Sequence, residues 1–90
     1  MNKGFTMELS TYAKVCQAVC EYEKIVRDPR SVGKTWEEFL EEANDDPVAV
    51  GYEIADLASD LFPELVGMYN DGELVALTVR MAQDWLKYVS

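Results

Sequence analysis

The sequence predicts an all-α domain, a compact bundle of three to four helices. Three observations carry that expectation. Apolar residues recur at helical spacing in successive segments. Capping residues and prolines punctuate the gaps between those segments. The composition, 49% apolar and 11% aromatic, is that of a chain able to bury a core. With 90 residues, residues 1–90 make one acidic helical domain.

The first periodic segment runs from Leu9 to Val26. Leu9, Tyr12, Ala13, Val15, Cys16, Val19, Cys20 and Val26 share its inward face, with Lys14, Gln17, Glu21 and Lys24 opposite. Ser10 or Thr11 is placed to cap its start, and Asp28-Pro29 ends it, because proline disfavours helix in the residue before it. Arg30 to Lys34 then reads as a basic connecting loop. Cys16 and Cys20 are the only cysteines and histidine is absent. One helical turn apart, the two thiols read as small core residues, and a zinc site would lack its remaining ligands.

Thr35 followed by Glu38 is a capping-box pattern that opens a short second helix. Trp36, Phe39, Leu40 and Ala43 point inward from it, and Glu37, Glu38, Glu41 and Glu42 point outward. Glu37/Glu41 and Glu38/Glu42 are like-charge pairs, each opposing the helix by roughly 0.2–0.5 kcal/mol. Asp46-Pro47 starts a third helix, an N-cap followed by proline in the first turn. Ile54, Ala55, Leu57, Ala58, Leu61 and Phe62 form its apolar side, and Glu53, Asp56 and Asp60 an acidic stripe. Pro63 forces a restart. Asn70-Asp71-Gly72 is a turn with two readings. Either it joins a β-hairpin, giving an α+β variant, or it precedes a last helix over Glu73–Val89. In the helix, Leu74, Leu77, Thr78, Met81, Ala82, Trp85, Tyr88 and Val89 share one wide face. Such a face could pack inside a four-helix arrangement, or against a second copy to form a homodimer.

Charge is the functional signal. Between Thr35 and Val79 stand twelve carboxylates and no lysine or arginine, within a chain of net charge −9. A solvated helix face normally interleaves both signs, so this excess points to use. The leading expectation is a non-enzymatic binding module that docks on a basic protein surface. Its contact residues are Glu37, Glu38, Glu41, Glu42, Asp45, Asp46, Glu53, Asp56 and Asp60, with Trp36 and Tyr52, and also Tyr69, as aromatic anchors. Carboxylates about 5–6 Å apart on rigid helices roughly imitate rows of phosphates. The protein then acts as a nucleic-acid mimic that inhibits a nucleic-acid-handling partner. In charge and size it is similar to the small acidic inhibitors carried by phages and mobile elements.

A second expectation is enzymatic. Glu37-Glu38-Phe39-Leu40-Glu41 fits Glu-Glu-x-x-Glu, and Glu53-Ile54-Ala55-Asp56 fits Glu-x-x-Asp. Together these resemble the magnesium-binding signature of MazG-type all-α nucleotide pyrophosphohydrolases. The resemblance implies Mg²⁺ held by Glu38, Glu41, Glu53 and Asp56, acting on a nucleotide's phosphates. The chain departs from that family in having no lysine between Lys34 and Arg80 to meet those phosphates, so the binding module leads and no cofactor is expected. A structural or assembly subunit is the third reading.

Other classes are poorly served. Without histidine most nucleophilic triads are excluded. Gly51, Gly67 and Gly72 are isolated, so no phosphate loop forms. No apolar run approaches the roughly 18 residues of a membrane span. Anionic lipid and nucleic acid would both repel the acidic side, so neither is an expected partner. The first residues do not read as a secretory signal, and the expected location is cytoplasmic.

Overall fold

The computed structural model describes the backbone of residues 3–90 and the side chains from Thr11 onward. Its elements are α1 (Lys3–Arg27), α2 (Pro29–Val32), α3 (Trp36–Asp45), α4 (Pro47–Leu61), a 3-10 turn (Pro63–Leu65), α5 (Val66–Asn70) and α6 (Glu73–Val89). Among the described residues there is no strand, so the domain is all-α and the hairpin variant is not formed. Gly72 adopts φ 83°, the left-handed conformation that closes the α5–α6 turn and leads directly into α6.

Local chemistry places the element starts. At α3 both halves of the capping box are made: Glu38 N–H donates to Thr35 Oγ1 (3.2 Å), and Thr35 N–H donates to Glu38 Oε1 (2.9 Å). Asp46 caps α4 by accepting from Ala49 N–H at 3.2 Å, with Pro47 in the first turn. Pro63 stops α4, and the chain restarts through the 3-10 turn. The basic loop expected over Arg30–Lys34 is partly helical instead. Asp28 accepts from Arg30 N–H at 3.1 Å, which caps α2.

The core lies where α4 packs on α6, with α1 and α3 closing it. Ile54, Ala55 and Ala58 of α4 meet Leu74, Thr78 and Ala82 of α6, all fully buried. The buried Thr78 hydroxyl donates to Val75 O within its own helix (3.1 Å), so no polar atom is left unpaired there. Gly51 is the point of closest approach. A Cβ on it would lie 2.5 Å from Val79 Cα and 2.9 Å from Val79 N, distances at which backbone must move.

The inward face of α1 differs from the expected one. Val15, Ala18, Tyr22 and Val26 are buried, whereas Tyr12, Ala13 and Cys20 are exposed and Cys16 is half-buried. Ser10 and Thr11 lie within the helix rather than at its cap, and the side chain of Leu9 falls outside the described ones. The buried face is rotated from the expected arc: it keeps Val15 and Val26 at one margin and extends beyond it to Ala18 and Tyr22. Tyr22 enters the core because its hydroxyl finds an acceptor in Glu53 of α4.

An aromatic cluster joins α1, α3 and α6. Trp36 stacks on Phe39 (5.5 Å between ring centroids) and meets Trp85 edge-on at 6.2 Å. Tyr22 meets Phe39 and Trp85 at 6.0 and 5.9 Å. Trp85 Nε1–H donates to Glu23 Oε1 at 2.7 Å, and Arg27 Nε–H donates to the other oxygen at 2.8 Å. The Arg27 guanidinium lies 4.0 Å from the Trp36 ring centroid. The indole bond, and behind it the Arg27 guanidinium, hold the Glu23 carboxyl below its ordinary value against the opposing effect of burial.

In α6, Leu74, Thr78, Ala82, Trp85 and Leu86 are buried and Tyr88 is 89% exposed. Most of the wide apolar face expected on α6 is therefore covered within one chain.

Two outcomes follow from this packing. Gly51→Ala raises intrinsic helix propensity by roughly 1 kcal/mol, yet overpacking costs about 1–3 kcal/mol. The urea midpoint should fall, and a rise would show that α4 and α6 can separate freely. A carboxyl with a depressed folded pKa stabilises the fold above its unfolded value, near 4.5, and that contribution is lost as pH drops below it. Glu23→Gln keeps an acceptor but does not titrate. The wild-type advantage in melting temperature should therefore be present at pH 6 and shrink below about pH 4.5.

Candidate functional site

The acidic residues come from three sources. The exposed side of α3 presents Glu37, Glu38, Glu41, Glu42 and Asp45, Asp46 sits at the α3–α4 junction, and α4 presents Glu53, Asp56 and Asp60. All nine are exposed. Several also have structural partners. Glu38 belongs to the capping box, and its bonds with Thr35, backbone first, hold its carboxyl below the usual range. Asp46 caps α4. Burial, followed by the bond to Glu53, pushes the Tyr22 phenol well above its ordinary value. Tyr69 O–H donates to Asp56 Oδ1 at 2.6 Å, and that bond raises the Tyr69 phenol.

The N-terminal third neutralises part of the charge. Lys34 pairs with Glu42, and Lys14 reaches across the fold to Glu64. Pairing raises the Lys34 ammonium, chiefly through Glu42 and to a lesser degree through Glu53 and Glu38. Two of the twelve carboxylates are thus ion-paired, and the other ten have no cationic partner among the described residues.

The α4 acids divide between two concavities, joined by Glu53 and Asp56 one helical turn apart. The first, about 260 Å³, lies between α3 and α4, with Glu42, Asp46 and Glu53 around Lys34 and with Tyr22 in its wall. A cation of the chain already stands there. The second, about 450 Å³, lies between α4 and α5 and is lined by Asp56, Ser59, Asp60, Val66 and Tyr69. It holds two carboxylates and no basic residue. Ser59 Oγ in its wall is buried without a hydrogen-bond partner among the described residues. Val66 is 43% exposed at its edge, and Tyr52 on the next turn of α4 is 49% exposed. Tyr52 is close enough to Tyr69 for a charge on one to act on the other.

The expected aromatic anchors thus part company. Tyr52 and Tyr69 stand beside the second concavity, while Trp36 is half-buried, stacked on Phe39 and covered by Arg27. Val66 and the orphaned Ser59 hydroxyl had no signal in the sequence, since their placement depends on how α5 folds back on α4. Among the described residues no three or more aspartates, glutamates or cysteines are placed to hold a metal ion. Of the four proposed ligands, Glu38 is engaged with Thr35, Glu53 with Tyr22 and Asp56 with Tyr69, and Glu41 stands on the exposed side of α3. Among the described residues no helix is long and apolar enough to cross a membrane.

No protein-family model matches the chain, and comparison with curated proteins and with solved structures finds no match either.

Proposed function

We propose that this protein is an acidic binding module that docks on a basic protein surface, with the α4–α5 concavity as its anchor. The single observation that carries this reading is the pairing of Asp56 and Asp60 with the half-buried Tyr69 and the exposed Val66, in a concavity that holds no cation of the chain's own. Exposed like charges repel one another, and an arginine or lysine from a partner relieves that repulsion. The Tyr69 and Tyr52 rings supply the flat, rigid surface on which a guanidinium packs. The surrounding unpaired acids of α3 extend the field, which hastens encounter with a basic partner and makes association sensitive to salt. A groove that ordinarily receives phosphates fits this surface, so the partner is a nucleic-acid-handling protein and docking inhibits it by occupying its groove. The protein works as a ligand, cytoplasmic and without a cofactor.

The test uses an arginine-rich peptide as the basic probe, followed by titration calorimetry at roughly 50 and 200 mM salt. Affinity should fall steeply between the two, and duplex DNA should compete for the peptide. The double variant Asp56→Lys/Asp60→Lys should lose binding while keeping its helical circular dichroism. Reversal at Glu37 and Glu41, on the outer side of α3, should weaken binding less and mainly slow association. Affinity indifferent to both salt and charge reversal would sink the proposal.

A further inference from the structure

A groove of about 280 Å³ runs between α1 and α6, separate from the residues of the acidic concavities. Cys16 and Cys20 line it from α1, and Met81 and Trp85 from α6. Both cysteines of the chain and a methionine thioether thus share one cleft, and the chain has no histidine to offer a metal instead. The geometry points to a soft-metal site here: the thiolates of Cys16 and Cys20, with the Met81 thioether as third donor, holding one monovalent copper ion.

Residues one turn apart on a helix have Cβ atoms about 5–6 Å apart, whereas a disulfide requires about 3.5–4.5 Å. The helix therefore keeps Cys16 and Cys20 as separate thiols. A metal ion relaxes that limit, because two metal–sulfur bonds of about 2.3 Å each place the sulfurs up to roughly twice that distance apart. Thiolate and thioether ligands select copper(I), while zinc requires a fourth donor. Asp84 lines the groove too, but among the described residues it is not grouped with the two thiols to hold a metal ion. Val19 and the Trp85 ring give the groove apolar walls, and Tyr12 completes its lining. Binding is not a redox step: copper stays monovalent, each thiol loses its proton to solvent, and the thioether donates a lone pair.

The experiment is an anaerobic titration of the reduced full chain with copper(I) supplied as its acetonitrile complex, in competition with a chromogenic copper(I) chelator. One ion per chain should bind, with a near-ultraviolet thiolate-to-copper absorption band. Bound copper should also protect both thiols from iodoacetamide. Cys16→Ser and Cys20→Ser should each lose the band, and Met81→Leu should weaken binding roughly tenfold, equivalent to about 1.4 kcal/mol. Undiminished copper binding by the folded Cys16→Ser/Cys20→Ser variant, or by Met81→Leu, overturns the assignment. So does wild-type protein whose thiols alkylate equally fast with and without copper, a readout that requires no variant to fold.

Discussion

At Gly51 the backbones of α4 and α6 approach so closely that a single methyl group would collide with the main chain of Val79. This contact sets the depth at which α6 lies, and much of the architecture follows from it. Because α6 is held there, Leu74, Thr78 and Ala82 reach the row of Ile54, Ala55 and Ala58. Small side chains on both helices make that approach possible, and close packing then rewards it with dispersion contacts that a wider separation would forfeit. With one side of α4 committed to α6, its other side is left to carry Tyr52, Glu53, Asp56 and Asp60 outward. The acidic display is in this sense a consequence of how the core is packed.

The middle of the chain cannot offset its own charge, since it has no basic residue between Thr35 and Val79. Relief comes from the N-terminal third, through Lys14 and Lys34 at two widely separated points. Tyr22 adds a hydrogen bond to Glu53 from within the core. Relief is selective, however. The α3–α4 concavity receives a lysine, while the α4–α5 concavity receives only the hydroxyl of Tyr69. The proposed docking reading rests on this contrast between the two.

Much of the helical order was legible because its signals are local. Thr35 with Glu38, Asp46 with Pro47, and Pro63 each act within one turn, and each produced the expected boundary. The face of α1 was harder, because alanines, cysteines and tyrosines tolerate both core and surface. Tyr22 fits inside because Glu53, far along the chain, accepts a hydrogen bond from its hydroxyl. The same distance problem hid the pairing of Lys14 with Glu64 and of Tyr69 with Asp56. Asn70-Asp71-Gly72 suits a hairpin as well as a helix start, and the long apolar periodicity after Gly72 decided between them. The acidic residues were legible as a set, while their division into one satisfied and one open concavity depends on tertiary packing.

Both tryptophans of the chain, Trp36 and Trp85, belong to the same aromatic cluster, whereas Tyr52 and Tyr69 lie on the outer side of α4 and α5. The molecule's indole emission is therefore regional. Indole fluorescence reports on the corner where α1, α3 and α6 meet, whereas the five tyrosines, with Tyr22 in that same corner and Tyr12 and Tyr88 on α1 and α6, report on no single region. Light thus reads events at that corner without any added label.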